Sequence, residues 1–184
     1  MTFELEVPAA PIHVALVEPR IPQNTGTLAR LCASQRVPLH IVGRPAFRLD
    51  DRSLRRAGLD YWSEVQLIRH RTLHDLQRGL ERAQPPLIPR LIFFETVGTR
   101  AYHQFLFRPG DCLVFGPETV GLSPDLLRGH EERIVSIPMG NPAVRSLNLA
   151  VSAAMGLGEA LRQVGQPPWQ ANPGILMGKI TPVE

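Results

Sequence analysis

The chain has 184 residues, 43% of them hydrophobic and 20% charged, with 20 Lys and Arg against 17 Asp and Glu. That is enough for one domain with a full core and too short for two. No apolar run approaches the roughly 18 residues a membrane-crossing helix needs, and MTFELEVPAAP has two glutamates and no basic stretch. A soluble, cytoplasmic protein without secretory leader or membrane contact is expected.

The apolar run at 13–17 reads as the first strand. It ends at Glu18 and Pro19, and EPRIPQNTGTLARLCA then opens a helix expected over 27–35, with Asn24 or Thr25 as its N-cap. The free N–H groups of that helix start can face an anion or a carbonyl oxygen. Arg30 lies within reach of it, although a lone arginine there is more often a side chain stretched along its helix to solvent. A strand at 39–42 follows, then a helix over 51–57, where Arg48, Arg52, Arg55 and Arg56 make a basic face. Such a face positions a phosphate backbone without reading sequence; a solvated face is the plain alternative.

A strand at 65–68, a helix at 73–83 and a strand at 91–94 come next. His70 and His74 have the i, i+4 spacing of one helical face, but no third ligand lies near, and Cys32 and Cys112 form no CxxC pair. Neither a metal site nor a disulfide framework is indicated. The strand at 112–115 runs into GPETVGLSP. There Gly116 lets a ligand approach the backbone, Glu118 is an ordinary loop acid or a group that holds Arg30, and Ser123-Pro124 starts a short helix at 123–128. The strand at 134–137 runs through PMGNPAVRSLNL into a long helix at 146–164, for which Ser146 is the expected N-cap; Asn148 has a weaker structural reason to stand there. Ser152, Ala153, Ala154, Gly156 and Gly158 would let another helix approach closely, within the chain or across a dimer. One domain is expected over 1–165, followed by an extended Pro- and Gly-rich arm at 166–184.

Strands alternating with helical patterns predict an α/β fold: a single domain with a largely parallel sheet and helices on both faces. Ligands in such sheets bind at the carboxyl ends of strands, where the three turn-rich stretches fall. GxGxxG, P-loop and GxSxG patterns are missing, which disfavours a Rossmann dehydrogenase, an NTPase and an α/β-hydrolase. All but one of the basic residues are arginine. Arginine's planar fork suits phosphate; a GC-rich genome that avoids lysine codons explains the bias as well.

EPxIPxNTGxxxRLCA, FGPETxGL and IPM followed by RSLNL, together with LRRAGLDYW at 54–62, resemble the motifs of the SPOUT superfamily of RNA 2′-O-ribose methyltransferases. The likeness runs from about residue 12 to 164 and is greatest to the TrmL group, which methylates the wobble nucleotide of tRNA, a cytidine or a modified uridine. It implies a homodimer with a C-terminal trefoil knot, which general topology rules would not suggest, S-adenosyl-L-methionine as cofactor and tRNA as partner. It further implies Phe94, Glu95, Thr96, Gly116, Ile137, Met139, Ser146 and Leu147 at the cofactor, and Arg30, Asn24, Asn148 and Glu118 as the catalytic set. A guanidinium with a pKa above about 12 is a poor base, so the expected part of Arg30 is to grip the phosphate beside the target ribose, the proton passing to that phosphate or to water. Glu95 and Phe94 stand where relatives often have neutral or smaller residues, and Ala150 replaces a common serine. The alternatives are methylation at another tRNA or rRNA site, a catalytically silent RNA-binding relative, and a cofactor-binding protein with a small-molecule substrate.

Overall fold

The computed structural model describes residues 6–48 and 59–165. Seven strands form one sheet: β1 (Ile12–Val17), β2 (Leu39–Val42), β3 (Leu67–His70), β4 (Leu91–Phe94), β5 (Arg100–Ala101), β6 (Asp111–Phe115) and β7 (Ile134–Ser136). Their spatial order is β3-β2-β1-β6-β4-β7-β5 and every pairing is parallel. Four of them, β1, β2, β4 and β6, are covered on both faces, which is why they read as unbroken apolar runs.

Alternate residues of each strand serve two separate cores. Ile12, Val14 and Leu16 of β1, Ile92 and Phe94 of β4 and Leu113 and Phe115 of β6 meet the helix α1 (Pro22–Ser34) through Leu28, Ala29 and Cys32. The same face receives the C-terminal helix α4 (Leu149–Val164) through Ala153, Leu157 and Ala160. On the opposite face Ala15, Phe93, Cys112 and Val114 meet α2 (Leu73–Ala83) through Leu76 and Leu80, and α3 (Pro124–Leu127) through Leu127. Leu16, Leu28, Leu80 and Leu113 are fully buried, each contributing about 1.5–3 kcal/mol.

Helix starts follow local chemistry, not always as the sequence suggests. At α2, Thr72 and Asp75 form a reciprocal capping box, and at α3 Ser123 is the N-cap with Pro124 behind it. Helix α1, expected from 27, begins at Pro22, where the missing N–H costs nothing. Asn24 and Thr25 are therefore buried residues of its first turn, not caps; the N-cap is Ile21, which has no side-chain cap bond of its own. Helix α4 begins at Leu149 with Asn148 as its cap, so Ser146 does not cap it. β3 lies two residues later than 65–68, because Leu59–Glu64 form a 3-10 turn and the Val65 N–H bonds back to the Trp62 carbonyl.

His70 ends β3 while His74 lies on α2, so the two share no helical face. Among the described residues no group of three or more His, Cys, Asp or Glu is placed to hold a metal, and no helix is long and apolar enough to cross a membrane. The expected helix at 51–57, with Arg52, Arg55 and Arg56, and the arm at 166–184 lie outside the described residues.

Candidate functional site

β4, β6 and β7 end on one edge of the sheet, and the turns that leave them wall a cavity of about 520 Å³. Phe94, Glu95 and Thr96 line it from the end of β4, and Phe115, Gly116 and Glu118 from the end of β6. Ile137, Met139, Ser146 and Leu147 line it from the long turn after β7, with Asn148 and Ser152 at the start of α4 and Asn24 on α1. Phe94 is buried and stacks on Phe115, with ring centroids 4.7 Å apart. The backbone is folded tightly here. A Cβ at Gly116 would lie 2.6 Å from the Gly121 carbonyl carbon, so the loop doubles back only because no side chain intervenes. Glu95 fastens that loop to the neighbouring strand, its Oε1 accepting from the Leu122 N–H.

A chain of hydrogen bonds ties the three stretches together at the cavity mouth. The Asn148 Nδ2 donates to the Asn24 Oδ1 (3.0 Å), and the Asn24 Nδ2 donates to the Glu118 Oε1 (3.1 Å). Glu118 also accepts from the backbone N–H groups of Arg20 (2.9 Å) and Ile21 (3.1 Å). The cap that α1 lacks in its own sequence is thus supplied by a carboxylate from the β6 loop, at the helix end whose field favours negative charge. At the other end Asn148 Oδ1 accepts from the Ala150 N–H (2.9 Å). The amides of Asn24 and Asn148 therefore hold the starts of α1 and α4 side by side.

Arg30 is exposed on α1 and does not line this cavity. It stands six positions after Asn24, which is about 9 Å along the axis and about a third of a turn around it, so it is not a member of the Asn148–Asn24–Glu118 network. Arg48 is exposed in the segment after β2. Two arginines that the sequence reading left unassigned stand at the site. Arg145 lines the cavity, and Arg20 donates from its Nη1 to the Thr119 Oγ1 (2.9 Å), latching the first loop to the second. Their signal was position inside the motif stretches, directly before Ser146 and after Pro19.

Residues 11–158 match the model of the SpoU rRNA Methylase family. A tRNA (cytidine(34)-2′-O)-methyltransferase of Burkholderia pseudomallei is 44% identical over 154 residues, covering 83% of this chain and 96% of the relative. The Escherichia coli K12 protein of the same name is 41% identical over 157 residues, 85% of this chain and 96% of the relative. Among solved structures, one described as giving insight into the 2-OH methylation of C/U34 on tRNA superposes with a TM-score of 0.74 at 40% identity, over 83% of this chain and 95% of that one. The SpoU methyltransferase AviRb of Streptomyces viridochromogenes in complex with AdoMet superposes at 0.70 with 27% identity, over 85% of this chain and 59% of that one. With its strand order, its strand-end cavity and these relatives, the chain belongs to the SpoU family of the SPOUT superfamily of RNA 2′-O-methyltransferases.

Proposed function

We propose that this protein transfers the methyl group of S-adenosyl-L-methionine to the ribose 2′-hydroxyl of the wobble nucleotide of tRNA, in the cytoplasm and as a homodimer. The observation that carries the reading is the convergence of three motif stretches, distant in sequence, on one strand-end cavity with an Asn148–Asn24–Glu118 chain at its mouth. The cavity suits the cofactor. Its volume lies within the roughly 300–1,000 Å³ of small-ligand sites. Phe94, Phe115, Ile137 and Leu147 offer an apolar slot for a purine, while the Glu95 carboxylate and the Thr96 and Ser146 hydroxyls can accept from hydroxyl and amino groups. Arg145 offers a fork for a carboxylate or a phosphate.

When bound, the cofactor supplies an electrophilic methyl on a sulfonium, so the protein's task is to align a ribose oxygen and let its proton leave. Asn24, Asn148 and Glu118 are positioning residues: their bonds to one another and to two helix starts fix the rim against which the ribose is set. Arg30 grips the neighbouring phosphate and, because a guanidinium stays charged, orients the nucleophile without taking its proton. Arg48, with Arg52, Arg55 and Arg56, contacts the phosphates of the tRNA beyond the site.

Ile21, Val144, Val151 and Met155 are 38–49% exposed, large apolar side chains at the cavity rim and on α4, and they support a second copy of the chain at this face. The backbone passes so closely at Gly98 that a Cβ there would stand 2.5 Å from the Val135 carbonyl carbon, which supports the C-terminal knot. The domain we propose comprises 1–165.

The test is to incubate the purified protein with labelled S-adenosylmethionine and unmodified bulk tRNA, digest the RNA, and locate the methylated nucleoside by mass spectrometry. A 2′-O-methyl group at the wobble nucleotide is the expected result. Methylation elsewhere would retain the chemistry and overturn the site, and cofactor binding without transfer to any RNA would make the chain a silent relative.

A further inference from the structure

Three histidines from three adjacent strands lie in a row that the cavity does not include: His13 on β1, His40 on β2 and His70 at the end of β3. Their register is diagonal, His40 standing opposite Ala15 and His70 opposite Val42, so all three project to the face covered by α2. His13 and His40 are completely buried and His70 partly. The His13 Nδ1 lies 3.0 Å from the His40 Nε2, and the His40 Nδ1 lies 2.9 Å from the His70 Nε2. At the inner end the Gln84 Nε2 lies 2.8 Å from the His13 Nε2 and 2.7 Å from the Ala10 carbonyl oxygen.

The proton positions in this row follow from its end. A carbonyl oxygen only accepts, so the amide group beside Ala10 is the NH₂, and an NH₂ only donates. The His13 Nε2 must therefore be bare and its proton must sit on Nδ1, donated to the His40 Nε2. By the same step the His40 Nδ1–H donates to the His70 Nε2, and the His70 proton sits on Nδ1, outside the row. A second proton on the His70 Nε2 would face the His40 N–H. Relief would require His40 and His13 to switch tautomers in turn, until the His13 Nε2–H met the Gln84 NH₂, which cannot accept. An extra proton on the row is therefore disfavoured, because at the inner end only the Ala10 carbonyl oxygen, already occupied by the Gln84 NH₂, could accept an N–H from His13.

Other titratable groups around it, among the described residues, do not supply a buried counter-ion. Cys112 of β6 stands opposite His13 and burial keeps it a neutral thiol. From α2, His74 is a further base, and Asp75 raises the pKa of His70 by less than burial lowers it. Burial holds His13 down at about 4 against the opposing effect of the Ala10 backbone carbonyl, and burial together with its two neighbours holds His40 well below the ordinary imidazole range.

We propose that Gln84, His13, His40 and His70 form a one-way hydrogen-bonded lock across β1, β2 and β3, intact only while all three imidazoles are neutral and protonated on Nδ1, so that acid breaks it as a unit. The first test is ¹⁵N imidazole NMR of the full chain near neutral pH. Three Nδ1–H tautomers are expected, and an Nε2–H tautomer at any of the three would overturn the lock. The second is Gln84→Glu, whose carboxyl group, protonated toward the Ala10 carbonyl oxygen, accepts from the His13 Nε2–H and reverses every bond of the row. His70, three hydrogen bonds away, is then expected to switch to the Nε2–H tautomer and its pKa to rise, because its outer Nδ1 becomes free to take a proton. A folded Gln84→Glu variant with His70 unchanged would overturn the proposal. The third needs no variant: from pH 6 to pH 5 the unfolding constant of the wild-type chain should rise about 60-fold, roughly eightfold from each of the two buried histidines. A rise of less than about fivefold would count against the lock.

Discussion

The molecule carries two polar chains that differ in kind. At the cavity mouth, Asn148, Asn24 and Glu118 are linked around a charge that lies against the start of α1, with Asn148 exposed and Glu118 half-buried. Inside the sheet, Gln84, His13, His40 and His70 are linked with no charge at all. A helix N-terminus and partial exposure stabilise a carboxylate; two packed layers of aliphatic side chains leave no such outlet, and an uncompensated charge there costs several kcal/mol. The rim network is thus free to interact with a substrate, and the interior one serves only to hold strands in register. Damage to the first should appear in turnover and damage to the second in stability.

The largest effect expected is on the interior, from pH. The His13 pKa is lowered from 6.5 to about 4 in the folded chain, so between those values the unfolded chain binds a proton that the folded chain does not. Stability from this residue is fully present above about pH 6.5 and is lost as the pH falls toward 4, by about 3 kcal/mol in all; below that both states are protonated and no more is lost. Urea unfolding across this range measures it. If cofactor affinity falls over the same interval while stability holds, the division between the two networks fails.

Next comes Arg30→Lys, which should lower kcat/KM by about 100-fold, about 2.7 kcal/mol in transition-state terms, because a point charge cannot reproduce the fork on a phosphate. Melting temperature and cofactor affinity should be unchanged, since Arg30 is exposed on α1 outside the cavity. Near-full activity would remove Arg30 from the reaction.

Asn148→Asp cuts the rim network more finely. Aspartate keeps the oxygen that caps α4 through the Ala150 N–H, and Asp caps about as well as Asn. It loses the N–H that reaches the Asn24 Oδ1 and sets a carboxylate against that oxygen. Stability should stay within about 1 kcal/mol while kcat falls about tenfold. Equal losses in both would mean that Asn148 acts only as a cap.

Most of the strand pattern and all three motif loops were legible because strands covered on both faces show as plain apolar runs and the turns between them as Gly, Pro and Asn clusters. Helix starts were less legible. The start of α1 was misread because its cap comes from Glu118, distant in sequence, and a cap of that kind leaves no mark near residue 22. Ser146 looked like the better cap because Ser before an apolar helix usually is one, and only the Asn148–Asn24 bond shows why the chain uses Asn148. The histidine row was invisible for a similar reason: 13, 40 and 70 meet only through strand register, which periodicity does not give. Arg145 and Arg20 were inside the motifs but carried no pattern of their own.

Thr72→Ala is the smallest expected effect and tests whether a local stability loss beside the interior row stays separate from catalysis. The Thr72 Oγ1 accepts from the Asp75 N–H, and Asp75 answers on the Thr72 N–H, so alanine removes one half of a reciprocal cap at the start of α2. A cap of this type contributes about 1 kcal/mol. Helix α2 covers the histidine row and presents Gln84 just beyond its last turn, whereas the cavity is walled by turns on other strands and by α1 and α4. The variant should therefore lose about 1 kcal/mol in urea and keep its kcat and its cofactor affinity. A drop in kcat at constant folded fraction would show that the packing of α2 is transmitted through β1 to the first turn of α1, which carries Asn24, and the two networks would then have to be treated as one.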